Sequence, residues 1–207
     1  MSTDPSDLDL LAAWRAGNDV AGQTLFKRHF RRIYRFFETK CNAEADELVQ
    51  STFLACVRAK NNFRGDSSFA TYLFTIARHE LYRVLSERRR DIARIDFDAS
   101  SIEMLVPTPR TKIAEREDRA RLLRVLRDLP VEQQMLLELH YWEEMDASEL
   151  ADVFETIPVT IRSRLSRARE VLREKLMKEA DAPPAATSTL ESLDAWARTL
   201  GQEKRLG

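Results

Sequence analysis

Residues 158–178 read PVTIRSRLSRAREVLREKLMK, a run with seven basic and two acidic side chains. The segment before it, from Val131 to Ile161, carries eight acidic side chains and no Lys or Arg. Because the formal net charge of the whole chain is only -1, the positive charge is concentrated locally and not spread over the protein. Such segregation predicts a short helix that binds a polyanion, with an acidic segment behind it.

The two segments together have the pattern of a helix-turn-helix. Asp146 and Glu149 have the spacing of a capping box, which predicts the start of a short first helix. The connection is predicted at residues 155–157, and Pro158 suits the first turn of the second helix because its missing N–H is not needed there. The apolar stripe of that second helix consists of Ile161, Leu165, Ala168, Leu172 and Leu176. Its arginines and serines therefore face away from the core, as they must to contact bases or phosphates in a major groove.

The rest of the chain predicts an all-α protein with two small helical domains joined by a flexible linker. Only five of the 207 residues are glycine and seven are proline, and no alternating β-branched run is bounded by turn residues. The predicted parts are a first domain at 8–92, a linker at 93–114, a second domain at 115–179 and a C-terminal extension at 180–207. In the first domain, Ser67 or Ser68 is placed to cap a third helix.

The extension beyond residue 179 is open to three interpretations: it is disordered, it caps the second domain, or it regulates binding. The residues Leu190, Leu193, Trp196 and Leu200 have the spacing of one short amphipathic helix.

The third helix of the first domain interleaves aromatic and basic side chains. Bases stack on aromatic rings while Arg and Lys neutralise phosphate, so this pattern is typical of a single-strand site. Its surface residues are predicted to be Tyr72, Arg78, His79 and Arg83. Phe69 and Phe74 are predicted to lie in the core, since large apolar side chains are mostly buried.

Other features argue against several classes of protein. Cys41 and Cys56 lack metal-type spacing and are predicted to be buried, reduced thiols. The three histidines are far apart, so no metal site is predicted, and there is no glycine-rich phosphate loop or nucleophile elbow. The N-terminal residues MSTDPSDLDL do not resemble a secretion signal, and no window has the apolar length of a membrane span. A cytoplasmic protein without membrane insertion is expected.

Several segments resemble bacterial extracytoplasmic-function sigma factors, the smallest type in the sigma-70 family. The resemblance covers about residues 8–179. In the first half it is carried by DELVQSTFL at 46–54, FRGDSSFATYLF at 63–74 and IAR at 76–78. In the second half it is carried by LP at 129–130, YWE at 141–143, SELA at 148–151, TIRSRL at 160–165 and RAR at 167–169.

This resemblance implies a promoter-specificity subunit of RNA polymerase with no catalysis and no cofactor of its own. The implied partners are the clamp helices and flap of the core polymerase, promoter DNA as duplex and single strand, and an anti-sigma factor. The linker at 93–114 would pass through the polymerase near the RNA path.

The resemblance also implies roles for individual residues. The residues that would contact polymerase are Asp46, Glu47, Gln50 and Phe53. The residues that would contact the minus-thirty-five duplex are Thr160, Arg162, Ser163, Arg164, Ser166, Arg167 and Arg169. The residues that would open and hold the minus-ten strand are Phe63, Arg64, Ser68, Thr71, Tyr72, Arg78, His79 and Arg83.

The chain departs from the family pattern at a few of these positions. Tyr72 stands where Trp is frequent, His79 where Asn is usual, and Arg83 where Asp or Asn is usual, which predicts an unusual minus-ten preference. Glycines that are common at the position of Glu144 and near Val159 are absent, so the turn at 156–158 is the least defined part of the motif.

Alternative interpretations remain. A dimeric regulator could bind duplex DNA through the same helix-turn-helix, but it would need a sensor or dimer domain within residues 8–90. A helical nucleic-acid-processing enzyme would need a metal-binding acidic cluster, and the acids of residues 132–155 lack a phosphate-cradling element. A helix with no DNA role could instead be a solvated surface element held by internal ion pairs, such as Glu170 with Lys175.

Overall fold

The structure is a computed structural model that describes residues 4–88, 96–102, 117–179 and 190–202. Within those ranges all regular elements are helices, apart from one isolated bridge between Ser101 and Pro130. The predicted all-α fold is therefore confirmed. The chain divides into two compact units, with a boundary after Val84. Most of the predicted linker lies outside the described residues.

The first unit is built from α1 (Asp7–Arg15), α2 (Asp19–Cys41), a 3₁₀ turn (Asn42–Glu44), α3 (Ala45–Ala59) and α4 (Phe69–Arg88), whose last residues pass the unit boundary. Side chains cap three of these helices. Ser6 and Asp9 form a reciprocal capping box on α1, and Asn18 accepts from the Ala21 N–H at 3.2 Å on α2. Of the two serines predicted to cap α4, Ser68 is the one that accepts, from the Thr71 N–H at 3.0 Å.

The core of this unit contains one apolar face from each of α2, α3 and α4. Leu25, Phe37, Leu48, Leu73 and Leu81 are all at most 2% exposed, as the three- and four-residue spacing predicts. The two phenylalanines predicted to be core, Phe69 and Phe74, are each 1% exposed, so that prediction is confirmed.

Both cysteines are buried free thiols, as predicted. Burial raises the pKa of Cys56 to about 12, so its side chain stays protonated and packs as a small apolar group.

Helix α1 is attached to α2 by a close fit between Trp14 and Gly22. A Cβ atom added at Gly22 would lie 2.7 Å from the Trp14 ring, so the indole occupies the space that a side chain there would need. Trp14 is 5% exposed and meets Phe26 edge-on at 5.1 Å. The indole therefore fixes α1 against the bundle through packing.

The N-terminal end of α1 is also fixed by charge. Asp7 accepts from Arg28 at 2.6 Å and lies 2.6 Å from the buried His29 ring. Burial raises the pKa of the Asp7 carboxyl, but hydrogen bonds and attraction from Arg28 and His29 outweigh it and leave this pKa below its ordinary value.

The second unit contains α5 (Glu117–Arg127), α6 (Val131–Trp142), α7 (Ala147–Val153), α8 (Pro158–Met177) and α9 (Leu190–Gln202). Residues 96–102 pack on the start of α6: the N–H groups of Val131 and Glu132 donate to the carbonyls of Ser100 at 2.9 Å and Phe97 at 3.2 Å. Ile102 is fully buried. This part of the predicted linker is therefore a packed turn of the second unit and not a flexible strand.

Helix α9 confirms the predicted amphipathic helix in the extension. It packs on α6 and α8, with Leu193 and Ala197 fully buried and Leu200 7% exposed. Residues 190–202 therefore cap the second unit, while residues 180–189 and 203–207 lie outside the described chain.

Candidate nucleic-acid interface

The first helix of the predicted helix-turn-helix, α7, begins with the capping box expected from the sequence. The Asp146 carboxylate accepts from the N–H groups of Ser148 at 2.7 Å and Glu149 at 2.9 Å. In return the Glu149 carboxylate accepts from the Asp146 N–H at 3.1 Å. These bonds satisfy the free donors of the first turn and set where α7 starts.

Helix α7 ends in a Schellman motif centred on Glu155. The Thr156 N–H donates to Ala151 O at 2.9 Å and the Glu155 N–H to Asp152 O at 3.3 Å. Glu155 has a φ of 53°, the left-handed conformation that usually requires glycine. Helix α8 then begins at Pro158 as predicted, and the connection is residues 154–157, one residue longer than predicted.

Helix α8 buries its predicted apolar stripe and presents its polar face outward. Ile161, Leu165, Ala168, Leu172 and Leu176 are all at most 5% exposed. Of the residues predicted to contact the duplex, Arg162, Ser163, Ser166 and Arg167 are exposed and Thr160 is half-buried. Ile157 and Val159, at the start of this face, are 62% and 67% exposed. The first three turns of α8 therefore present hydrogen-bond donors and apolar groups on the exposed side of the helix, opposite the buried stripe.

The other two predicted contacts, Arg164 and Arg169, lie at the edges of this face beside the buried stripe and are held by acids. Arg164 Nη1 lies 3.2 Å from Glu132 Oε2 on α6. Arg169 Nε lies 3.2 Å from Asp194 Oδ1 on α9. The predicted set of seven thus divides into five outward residues and two arginines held within the second unit.

Arg169 has two further partners on α6. Its Nε donates to the Tyr141 hydroxyl at 3.2 Å, and its Nη2 lies 2.8 Å from His140 Nε2. His140 Nδ1 lies 3.1 Å from the Met145 carbonyl, which accepts only if that nitrogen carries the proton. Burial lowers the pKa of His140, so the neutral ring has a free Nε2 that accepts from Arg169.

The segment predicted to hold the minus-ten strand is a short loop between α3 and α4 with an anchored start. Phe63 is 7% exposed and its ring centroid lies 4.7 Å from that of Tyr72. The Tyr72 hydroxyl donates to Ala59 O at 3.2 Å, and burial raises its pKa. Thr71 is fully buried and bonds Ser68 at 2.8 Å. Arg64 and Ser68 are exposed, so solvent reaches the middle of the loop.

Arg15, at the end of α1, holds the start of this loop. Its Nε donates to Lys60 O at 2.8 Å and its Nη2 to Phe63 O at 2.5 Å. The same Nη2 also bonds Lys60 O. The Lys60 ammonium in turn lies 4.7 Å from the centre of the Trp14 ring. Sequence patterns do not predict this contact, because Arg15 and Lys60 are 45 residues apart in the chain.

The three predicted cations of α4 differ in exposure. The Arg78 guanidinium lies 5.0 Å from the centre of the Tyr82 ring. His79 is exposed. Arg83 is 48% exposed and pairs with Glu80 at 2.9 Å. They belong to one long helix whose other face is core.

The residues predicted to contact polymerase border an apolar groove in the first unit. The groove has a volume of about 300 Å³ and is lined by Phe26, Phe30, Asp46, Val49, Gln50, Phe53, Leu54 and Val57. Phe30, Leu54 and Val57 are 48%, 47% and 40% exposed. Asp46 and Gln50 are exposed at its rim, and Glu47 is exposed beside it. The sequence prediction named three polar residues at or beside the rim and one residue of the apolar floor, Phe53. Leu54 and Val57 extend that floor, because residues three and four apart lie on one side of α3.

The described residues hold no group of three His, Cys, Asp or Glu side chains placed to bind a metal ion. None of the helices in those ranges has the length and apolarity that a bilayer span requires.

A capped helix-turn-helix with an outward arginine and serine face defines a helix-turn-helix DNA-binding protein. Comparison with known proteins gives the family. Residues 25–91 match sigma-70 region 2 and residues 119–172 match sigma-70 region 4. The RNA polymerase sigma-H factor of Pseudomonas aeruginosa is 30% identical over 188 residues, which is 85% of this chain and 96% of that protein. The ECF RNA polymerase sigma-E factor of Escherichia coli (strain K12) is 26% identical over 185 residues, which is 85% of this chain and 97% of that protein.

Solved structures share the fold. The sigma factor RpoE in complex with the anti-sigma factor NepR from Bartonella quintana has a TM-score of 0.59 and 22% identity, over 76% of this chain and 98% of its own. CnrH in complex with the cytosolic domain of CnrY has a TM-score of 0.63 and 23% identity, over 86% of this chain and 100% of the CnrH chain. The chain belongs to the sigma-70 family, as an RNA polymerase sigma factor of the extracytoplasmic-function type.

Proposed function

We propose that this sigma factor reads the two promoter elements with separate units. The second unit would bind the minus-thirty-five duplex, and the first would open the minus-ten element and hold the melted strand. The working domains would be residues 8–92 and 115–179, joined by 93–114 and followed by the extension at 180–207. The observation that carries the proposal is the outward face of α8, where exposed arginines and serines follow a capped helix-turn-helix.

The exposure of side chains on α8 supports the proposed minus-thirty-five contacts. Arg162, Ser163, Ser166 and Arg167 lie opposite the buried stripe, so they would reach base edges if the helix entered the major groove. Thr160 lies at the helix start, where N-terminal residues of a recognition helix contact bases. Arg164 and Arg169 lie at the two edges of the helix, where backbone phosphates would face them.

The minus-ten role rests on the loop between α3 and α4. Arg64 and Ser68 are exposed in the loop, and Arg78, His79 and Arg83 continue along α4. The tilted rings of Phe63 and Tyr72 contact each other at 4.7 Å and would support an unpaired base. Unstacking that base would cost a few kcal/mol, which contacts in the loop would offset. Thr71 would act by holding Ser68, because its own side chain is buried.

The groove along α3 is proposed as the surface that docks on the clamp helices of core polymerase. Its apolar floor with Phe53 would be covered by the partner helix, while Asp46, Glu47 and Gln50 at or beside the rim would make polar contacts. The second unit would contact the polymerase flap. An anti-sigma factor is a further proposed partner, because the sigma factor RpoE of Bartonella quintana, which shares this fold, is seen in complex with the anti-sigma factor NepR. The protein would act in the cytoplasm, where core polymerase is, and would catalyse nothing itself.

Run-off transcription of a genomic library tests the proposal. Core polymerase alone and core polymerase with this chain are compared, and transcripts that depend on the chain identify its promoters. Tyr72→Ala is expected to impair opening, while Arg167→Gln is expected to impair use of the upstream element. Duplex binding by the chain without stimulation of polymerase would reject the proposal in favour of a dimeric helix-turn-helix regulator.

A further inference from the structure

Helix α9 brings an acidic side chain to the edge of α8, the helix that is proposed to face DNA. The helix is held by burial of Leu193 and Ala197 and by a hydrogen bond from Trp142 Nε1 to Ala197 O at 3.2 Å. Asp194 lies between those two buried residues in sequence, and its side chain is 19% exposed. Because neither family match extends beyond residue 172, α9 is an addition to the regions that define the family.

The Asp194 carboxylate has two partners that fix it. The Tyr141 hydroxyl donates to Oδ1 at 2.5 Å, and Arg169 Nε lies 3.2 Å from the same oxygen. Burial raises the pKa of Tyr141 far above its ordinary value, so the hydroxyl keeps its proton and remains a donor. The carboxylate is therefore anchored on α6 while it holds the arginine of α8.

Arg169 is held from more than one side. In addition to Asp194 and the Tyr141 hydroxyl, His140 Nε2 accepts from its Nη2 at 2.8 Å, and its side chain is 23% exposed. A guanidinium that is paired with a carboxylate adds little net positive charge toward a third group. In this arrangement Arg169 contributes less to a DNA phosphate than Arg162 or Arg167, which the described residues do not pair with any acid.

We propose that Asp194 is a positioning residue of the promoter-binding face, which holds Arg169 away from the DNA backbone. Arg169 can then contact a DNA phosphate only when α9 does not hold Asp194 beside it. A phosphate is the ligand, and not a base, because Arg169 lies at the edge of α8 beside the buried stripe. This inference rests on the proposed function, since it assumes that α8 lies against duplex DNA.

The test is a salt titration of promoter binding by reconstituted holoenzymes. Core polymerase is combined with the full chain or with the variants Asp194→Asn, Glu191→Gln, Arg169→Gln and the double variant Asp194→Asn/Arg169→Gln. The probes are two fluorescein-labelled duplexes, one with a promoter selected by run-off transcription and one with its upstream element scrambled. Core polymerase contributes equally to each holoenzyme, so differences in salt slope report the sigma subunit. Glu191→Gln is the matched control, because it removes the same charge from an exposed position of α9.

One additional phosphate contact steepens the slope of log K against log salt concentration by about 0.9. Asp194→Asn is expected to show that change on both duplexes, because a phosphate contact does not depend on sequence. Glu191→Gln is expected to keep the original slope, and the double variant is expected to show no gain. If Asp194→Asn detaches α9 altogether, Arg169 is released as well and the expected result is the same.

Two results would overturn the inference: a slope for Asp194→Asn equal to that of Glu191→Gln, or a gain that persists in the double variant. Failure of the proposed function looks different. In that case Arg167→Gln holoenzyme would distinguish the selected duplex from the scrambled one as well as the unmodified holoenzyme does. If Arg167→Gln abolishes this discrimination while Asp194→Asn has no effect, only the role of Asp194 is wrong.

Discussion

Glu144, just after the C-terminus of α6, has a backbone conformation that suits glycine. Its φ is 58°, and the Met145 N–H donates to Leu139 O at 3.2 Å across the turn. A side chain in this left-handed conformation costs on the order of 1 kcal/mol relative to glycine. Glu144→Gly is therefore expected to raise the free energy of unfolding by about 1 kcal/mol, measured by urea denaturation.

The matched control is the neighbouring residue. Glu143 has a φ of -101°, which ordinary residues adopt without strain, so Glu143→Gly is expected to lower the free energy of unfolding. If both variants change stability in the same direction, the backbone explanation is wrong.

Arg167 and Arg164 are expected to differ in their effect on promoter choice. Arg167 is exposed on the outward face, whereas Arg164 is 40% exposed and paired with Glu132. Arg167→Gln is expected to cost about 1–3 kcal/mol of binding and to relax specificity at one base pair. Arg164→Gln is expected to weaken upstream-element use by less, and equally for all sequences. Binding to duplexes with single base-pair changes separates the two patterns.

Among the elements, α1 lies outside the residues that match sigma-70 region 2, yet it contacts the loop between α3 and α4. Arg15 holds the carbonyls of Lys60 and Phe63, at the start of the proposed minus-ten loop. Arg15→Gln removes charged hydrogen bonds to this backbone and is expected to slow open-complex formation on duplex promoter by about three- to tenfold. A promoter with a pre-melted minus-ten element is expected to restore the rate, because opening is then not required.

Arg31→Gln is the control for Arg15→Gln, since it removes the same charge from an exposed site in the first unit. A variant that merely folds less well would lose activity on duplex and pre-melted templates alike. That result for Arg15→Gln would contradict a role in holding the loop.

The groove of α2 and α3 gives a second prediction at this scale. Leu54 is 47% exposed in the groove, so Leu54→Glu leaves the core of the unit intact but places a charge where the clamp helices would pack. Affinity for core polymerase is expected to fall by at least about tenfold, or 1.4 kcal/mol. Leu8→Glu changes an equally exposed leucine of α1 outside the groove, 52% exposed, and is expected to bind normally in a pull-down titration. Equal losses for both variants would exclude the groove as the docking surface.

At the scale of the whole molecule, stability is expected to depend on pH through His29, which is buried, and His140, which is half-buried. Burial lowers the pKa of His140; Arg169 and Arg198 also lower it, while the Met145 carbonyl and Asp194 raise it. Burial likewise lowers the pKa of His29 despite Asp7. The unfolded chain therefore binds protons more readily, so stability is lost as pH falls below about 6.5 and recovers above it.

Urea unfolding across a pH series measures this effect. His140→Gln is expected to flatten the curve in that range, because the ring whose pKa is lowered by burial is then absent. An unmodified protein with the same unfolding free energy on both sides of this range would contradict the prediction.

The parts of the fold that the sequence predicts are those governed by local spacing. The stripe from Ile161 to Leu176, the capping box at Asp146 and the Ser68 cap all follow from residues three or four apart. What it does not predict are contacts between distant residues. From the sequence alone, Arg169 is predicted to be one more outward arginine. Its pairing with Asp194 is seen only in the structure, where α9 packs against α8. The anchored loop at Phe63 depends in the same way on Arg15.

The fit between Trp14 and Gly22 has a consequence for how this protein can change. A Cβ at residue 22 would lie 2.7 Å from the indole, too close for the ring to stay, while a smaller residue at 14 would leave a hole beside a bare backbone. Neither position can be altered alone without loosening α1, the helix whose Arg15 bonds the carbonyls of Lys60 and Phe63 at the start of the loop between α3 and α4. Residues 14 and 22 are therefore expected to covary: in related chains a large residue at one position accompanies a small one at the other.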